Sequence, residues 1–321
     1  MVHDPVLAWE NGRYYLYSTG MGVQLATSTD RKTWTVQPRG ALTEIPAWTS
    51  DSVPGFRGHV WAPDVIHYCG RWWMAYSCST FGRNTSAIGL ASSPTLDFTD
   101  TLLYHWQDEG ALVCSRERRD DWNAIDPNFA LDEKGQPWLT WGSFWDGIQL
   151  VRLDPETMHI AAGEKPKTIA RRIAIADTLS AEPNPTSRHA GRNAIEAPFI
   201  TRHGEYFYLF VSHDYCCRGI QSNYKVVVGR SRDIRGPYID REGRDMAAGG
   251  GTLVIQGDKQ EFEAAGHSAF YHIATAPHEQ NTHGDHLDLF ICHGYSTRHN
   301  GQAILIQRPV RWSDDGWPQL D

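Results

Sequence analysis

"GRYYLYSTG", residues 12–20, decides the fold, because the chain writes the same pattern three more times. "GRWWMAYSCST" (70–80), "GQPWLTWGSFW" (135–145) and "GEYFYLFVSHD" (204–214) share its turn glycine and the aromatic, apolar run behind it. Such runs after a glycine turn read as β-strands, and helical spacing of apolar residues is hard to find anywhere. Six to nine residues before each glycine stands an acid: Asp4, Asp64, Asp126 and Glu196. After each run comes a further strand: "VQLATSTD" (23–30), "SAIGLASS" (86–93), "IQLVRLDP" (148–155) and "YKVVVGRS" (224–231). A fifth, weaker copy runs through "GHSAFYHI" (266–273), "HLDLFICHGYS" (286–296) and "AILIQRPVRW" (303–312), with His267 near the place of the acids. Two of the entries, "NAIDPNF" (123–129) and "NAIEAPF" (193–199), are near-copies, so Asp126 and Glu196 read as equivalent positions given different chemical work.

Five units of about 50–70 residues, each worth about four strands, describe an all-β, five-bladed β-propeller better than a sandwich. The innermost strand of every propeller blade runs along the central channel, so residues at its start meet around one axis. That topology would bring Asp4, Asp126 and Glu196 together. "TLSAEPNPTSRHAGR" (178–192) and "APHEQNTHGD" (276–285) read as loops decorating one rim. No low-complexity segment or linker divides the chain, and residues 1–321 are read as one catalytic domain.

Composition narrows the function classes. The 321 residues are 40% hydrophobic and 21% charged, enough apolar material for a soluble core. A net charge of −8 argues against nucleic acid, which needs a basic footprint. No run of about 18 apolar residues suggests a membrane span. The opening "MVHDPVLAWE" lacks the basic and apolar regions of a signal peptide. The six cysteines (69, 78, 114, 216, 217 and 292) lack zinc spacing. Adjacent Cys216 and Cys217 read as free thiols, because neighbours rarely bridge without strain. The 13 Trp, 13 Tyr and 11 Phe exceed what packing alone calls for and suit a surface that stacks on sugar rings.

Cleavage of a glycosidic bond needs one carboxylic acid to protonate the leaving oxygen and one carboxylate to activate water or attack carbon. The two must sit in environments that push their pKa values apart, which a cluster of three acids allows. Asp4 and Glu196 would be the working pair, with Asp126 tuning them. Against this, Asp-Pro pairs such as 4–5 and 126–127 are ordinary turn starters. Most aromatic residues of the strands, Tyr14, Trp72, Trp138 and Phe207 among them, should be packing between blades. A lone His267 is more often a satisfied polar residue than a metal ligand. "HEQNTH" (278–283) spaces its histidines wrongly for a zinc helix. "NTS" (84–86) is too common a pattern to carry weight, and "GGG" (249–251) is a turn or close approach, since no helix follows to hold a phosphate.

The chain resembles the family 43 glycoside hydrolases, and within them the endo-1,5-α-L-arabinanases. The resemblance runs almost end to end, through "HDPV" (3–6), "GFRGHVWAPDV" (55–65), "STFGRNTSAIGLASS" (79–93), "WNAIDPNF" (122–129), "WGSFWDGIQLV" (141–151), "IEAPFI" (195–200), "FVSHDYCCRG" (210–219) and "GH" (266–267). It implies an inverting hydrolase of α-1,5-linked L-arabinan, acting internally, with Asp4 as general base, Glu196 as general acid and Asp126 as the carboxylate that tunes the acid. Asn123, Ala124, Ile125 and Asp126, and Ser143, Phe144 and Trp145, match stretches that line the substrate cleft. Trp61 and Phe81, with Gly82 beside it, match positions that pack against arabinose. His267 matches the ligand of a calcium ion at the channel centre, an unusual site for a cation that prefers oxygen. His213 stands where relatives more often carry an aromatic, so that side of the cleft is expected to differ. The resemblance also implies a secreted or periplasmic enzyme whose leader precedes residue 1, with a cytoplasmic place left open.

Three alternatives on the same scaffold stay open: an exo-acting arabinanase, an α-L-arabinofuranosidase and a β-xylosidase. A carbohydrate-binding propeller without catalysis is the rival from another class. It predicts repeated aromatic sites in every blade, whereas here the acids differ from blade to blade.

Overall fold

A computed structural model of the chain describes residues 1–174, 192–274 and 286–321. Residues 178–191 and 276–285, read above as rim loops, lie outside the described residues, as does "HEQNTH". The strands are β1 (Val6–Glu10), β2 (Arg13–Ser18), β3 (Gly20–Met21), β4 (Gln24–Ser28) and β5 (Thr35–Val36), then β6 (His59–Tyr68), β7 (Arg71–Cys78), β8 (Ser86–Ser93) and β9 (Gln107–Ser115). They continue as β10 (Asn128–Leu131), β11 (Pro137–Trp141), β12 (Ile148–Arg152), β13 (Lys167–Ala170), β14 (Ile195–His203), β15 (Tyr206–His213), β16 (Lys225–Ser231) and β17 (Thr252–Gln256). The last are β18 (Phe262–Ala274), β19 (His286–Ser296), β20 (Ala303–Trp312) and β21 (Pro318–Leu320).

These strands form five antiparallel sheets, ordered β1-β2-β4-β5, β6-β7-β8-β9, β10-β11-β12-β13, β14-β15-β16-β17 and β18-β19-β20-β21, with β3 added to the edge of the second. The chain is a five-bladed β-propeller. Tight turns make each blade a meander: Asn11-Gly12 and Cys69-Gly70 both sit at positive φ, as a two-residue turn matched to strand twist requires. The second strands do not alternate in burial. Trp72 through Cys78 are all buried, because each blade is covered on both faces by its neighbours. Among the described residues no helix is long and apolar enough to cross a membrane.

The entry to each inner strand has one shape. Register slips between Trp61 and Asp64, Glu196 and Phe199, and Gly266 and Ala269, leaving a two-residue bulge at 62–63, 197–198 and 267–268. Asp4-Pro5 and Asp126-Pro127 hold the matching place just before β1 and β10. The first residue of each pair lies in the left-handed region: Asp4 (φ 55°), Ala62 (39°), Asp126 (57°), Ala197 (54°) and His267 (52°). A left-handed non-glycine residue costs of order 1 kcal/mol or more and needs surrounding structure to hold it. Here the preceding blade does so by accepting its N–H. Thr19 Oγ1 accepts from Ala62 at 2.9 Å, Ser77 Oγ from Asp126 at 3.0 Å, and Asp126 Oδ2 from Ala197 at 3.1 Å. Ser212 Oγ accepts from His267 at 2.8 Å, and His293 Nδ1 from Asp4 at 3.1 Å.

This corrects the expectation that Asp4, Asp64, Asp126 and Glu196 are equivalent. Only Asp4 and Asp126 share the entry position, with Ala62, Ala197 and His267 at the other three. Glu196 lies one residue earlier and Asp64 two residues later, because the bulge displaces a pair that a count along the sequence treats as in register. The ring closes without exchanging a strand. Val2 N–H donates to Ala303 O at 3.1 Å, Leu7 N–H to the Tyr271 hydroxyl at 2.8 Å, and Gln307 Nε2 to Arg31 O at 2.8 Å. One core runs across this seam, from Val6, Leu16 and Tyr17 to Phe270, Phe290 and Ile306.

The thiol expectation also fails. Cys216 and Cys217 form a vicinal disulfide, while Cys78 and Cys292 are buried free thiols and Cys69 is exposed. Asn84 of the "NTS" motif is fully buried, its amide donating to Asp120 O and Trp122 O at 3.0 Å, so it is a structural residue.

Candidate active site

The entry residues and the loops between blades line a cleft of about 740 Å³ at one mouth of the channel. Asp4, Asp126, Glu196 and His267 all lie on it. So do Trp61, Phe81, Gly82, Asn123, Ile125, Ser143, Phe144 and Trp145. Ala124 does not. It is fully buried and gives its N–H to Ser115 Oγ at 2.9 Å, so its expected place in the cleft is wrong. His213 is also buried and off the lining, so it does not reshape the wall as expected. Burial drives its pKa down to about 3, which keeps it neutral. Phe81 stands at the other extreme, 81% exposed on the rim, where an exposed apolar ring suits a sugar face.

Asp4 is built as an ionised carboxylate. Its Oδ2 accepts from Thr19 Oγ1 at 2.5 Å and faces His3 Nδ1 at 2.8 Å, while Oδ1 faces His267 Nδ1 at 3.0 Å. Burial alone would raise its pKa, but the N–H groups that His3 and His267 turn towards it hold it well below the usual carboxylate range.

Glu196 is built the other way. Burial pushes its pKa up, the hydroxyls of Ser143 (2.7 Å to Oε2) and Tyr224 (2.8 Å to Oε1) oppose this, and the negative charge of Asp4 adds to the rise. The turn 142–145 sets Ser143, which bridges Glu196 across blades, and Phe144 N–H donates to Ile195 O at 2.8 Å. Tyr224 reaches the acid only because residue 266 is glycine. A Cβ there would fall 2.0 Å from the Tyr224 ring.

Asp126 shares the cleft with both, its Oδ2 accepting the Ala197 N–H beside Glu196 at 3.1 Å. Burial carries it well above the ordinary range, His267 opposes, and repulsion from Glu196 and Asp4 adds. For His267, burial works downward, yet Asp4 first, then Asp126 and Glu196, carry it up to about 9. The cleft thus holds one carboxylate disposed to lose its proton and others disposed to keep theirs.

Sequence reading missed His3, Thr19, Tyr224, Tyr215, Cys216, Cys217 and Arg218. All of these line the cleft except Tyr224, which holds Glu196 from behind. The one sequence signal for the Cys216 loop is "CCRG", which carries the family resemblance without marking these residues as cleft lining.

Carboxylates of opposed protonation beside an aromatic-rimmed cleft are the equipment of a glycoside hydrolase. The family model for glycosyl hydrolases family 43 matches residues 1–318, and the chain belongs to that family of glycosidases. It is 50% identical to an exo-1,5-α-L-arabinanase from a bovine ruminal metagenomic library, with a TM-score of 0.87 over 100% of this chain and 96% of that one. A Cellvibrio cellulosa α-L-arabinanase solved with arabinohexaose is 38% identical, with a TM-score of 0.89 over 100% and 95%. An extracellular endo-α-(1→5)-L-arabinanase of Bacillus subtilis is 37% identical over 99% of this chain and 87% of its own.

Proposed function

We propose that the enzyme hydrolyses α-1,5-linked L-arabinan with inversion, Asp4 activating water and Glu196 protonating the leaving oxygen. One observation carries this reading: the two carboxylates face the same cleft in environments that move their pKa values in opposite directions. Asp126, hydrogen-bonded to the N–H next to Glu196, places and tunes the acid. Trp61 and Phe81 offer ring faces to arabinose, Trp145 forms part of the cleft wall, and Ser143 and Asn123 offer polar contacts. The names of the relatives, including one called extracellular, support arabinan as substrate and export as destination.

Internal cleavage is the mode expected from the sequence. Cleavage from a chain end is the second reading, favoured by the 50% identity to an enzyme named as exo-acting. Digestion of linear arabinan separates them: a ladder of mixed oligomers supports internal cleavage, and a single released product supports exo action. Absence of any arabinan product would overturn both.

The channel centre also suits a calcium ion in charge, with Asp4, Asp126 and Glu196 around His267. Asp4 engages Nδ1, so Nε2 would be the ligand nitrogen, its proton released as the ion binds, and most of the shell would be water. Bound there, the ion would supply positive charge that steadies the carboxylates. Chelation with EDTA followed by dialysis should lower the melting temperature, with recovery on adding calcium. An unchanged Tm counts against the ion.

A further inference from the structure

We propose that Tyr295, a residue off the cleft, is a positioning residue that sets which nitrogen of His3 carries the proton, and so makes His3 an N–H donor to Asp4. This role rests on the reading of Asp4 as general base, and it follows from the hydrogen-bonding capacity of a tyrosine hydroxyl. A tyrosine hydroxyl has one proton to give and two lone pairs to fill. The Cys217 N–H donates to the Tyr295 oxygen at 2.8 Å. His293 Nε2 lies 3.2 Å from it, and His3 Nε2 2.9 Å. The tautomer of His293 is fixed by its other nitrogen, because Nδ1 accepts the Asp4 N–H at 3.1 Å. His293 therefore carries its proton on Nε2 and donates it to Tyr295.

Both lone pairs of Tyr295 are then used. Its single proton goes to His3 Nε2, since the Ser222 oxygen near the phenol already accepts the Arg218 N–H at 3.1 Å and the Cys217 sulfur, 4.0 Å away, is a weaker acceptor. With Nε2 accepting, His3 holds its proton on Nδ1, 2.8 Å from Asp4 Oδ2. Burial keeps the phenol protonated, and Tyr295 is only 3% exposed. His3 and His293 stack at 3.9 Å, which holds both rings in the planes this network needs. His3, Asp4 and His293 also bring ligand atoms within 4.8 Å of one another, the spacing of a metal site. Their nitrogens are committed to Asp4 N–H, Asp4 Oδ2 and Tyr295, so hydrogen bonding accounts for the cluster. The vicinal disulfide enters here as well, since it shapes the backbone that presents the Cys217 N–H.

Imidazole ¹⁵N NMR of the wild-type enzyme should show His3 protonated at Nδ1 and bare at Nε2; the reverse tautomer would overturn the proposal. Tyr295→Phe should lower kcat by about tenfold or more, which corresponds to at least 1.36 kcal/mol of lost transition-state stabilisation, with KM little changed. In His3→Asn the amide presents an N–H with no tautomer to set, so adding Tyr295→Phe should cost nothing further. An equal loss in both backgrounds, or no loss in either, would overturn the proposal. Asp4→Asn keeps the two readings apart. If it stays active, the base assignment falls, whereas if it is inactive while Tyr295→Phe is normal, only the role of Tyr295 falls.

Discussion

Asp4 and Glu196 are chemically similar side chains, and the company each keeps separates their roles. Asp4 collects donors on both oxygens, from Thr19, His3 and His267. Glu196 collects two hydroxyls, which can rotate to accept as readily as donate, so it can hold a proton without losing its partners. That difference makes Glu196→Gln a clean probe. Glutamine keeps the size and the contacts with Ser143 and Tyr224 but has no proton to give a leaving group. The one-residue offset between Glu196 and Asp126 matters for the same reason. Asp126 occupies the left-handed entry position and reaches the backbone of Ala197, while Glu196 precedes it in the register and faces Ser143 across the blade boundary.

Between elements, the inner strands are tied by buried polar side chains. Asp64 of β6 accepts the Phe129 N–H at 2.7 Å and the Asn128 amide at 3.1 Å, and Asn128 in turn accepts the Ile200 N–H at 2.9 Å. Burial outweighs these donors and raises Asp64 from 3.8 to about 7. A folded pKa above the unfolded one means the folded chain holds this proton more tightly. Its stabilising effect is full below about pH 4, fades as pH rises towards 7, and is gone above that. Asp64→Asn keeps an acceptor for Phe129 and carries no charge. It should raise the melting temperature near pH 8 and change it little near pH 4, with a ceiling of about 4 kcal/mol at 1.36 kcal/mol per unit. Equal effects at both pH values, or a lower Tm near pH 8, would contradict this. The hairpins were readable in the sequence because glycine turns and aromatic runs repeat. The bulges were not, because a displaced pair leaves the alternation on either side intact. Nor could spacing reveal Tyr224, just before β16, or His293 and Tyr295 of β19, which lie far from the inner-strand entries in sequence.

For the whole molecule, the propeller turns residues far apart in sequence into one cluster: Asp4 from the first blade, Asp126 from the third, Glu196 from the fourth and His267 from the fifth. Repetition made the five blades and the three acids legible, and the family resemblance supplied about half of the cleft lining, with Ala124 wrongly placed on it and His3, Thr19 and the loop from Tyr215 to Arg218 left out. Ring closure was not legible, since it rests on single hydrogen bonds and a shared core rather than on a strand the sequence marks. Mode of attack belongs to this scale too, because the loops of several blades together shape the cleft. The central claim, acid–base hydrolysis by Glu196 and Asp4, is tested most directly by the turnover of linear arabinan by Glu196→Gln beside wild type, with matching circular dichroism spectra. Here kcat should fall about 10²- to 10⁴-fold, the usual worth of a general acid. Turnover within about threefold of wild type would contradict it.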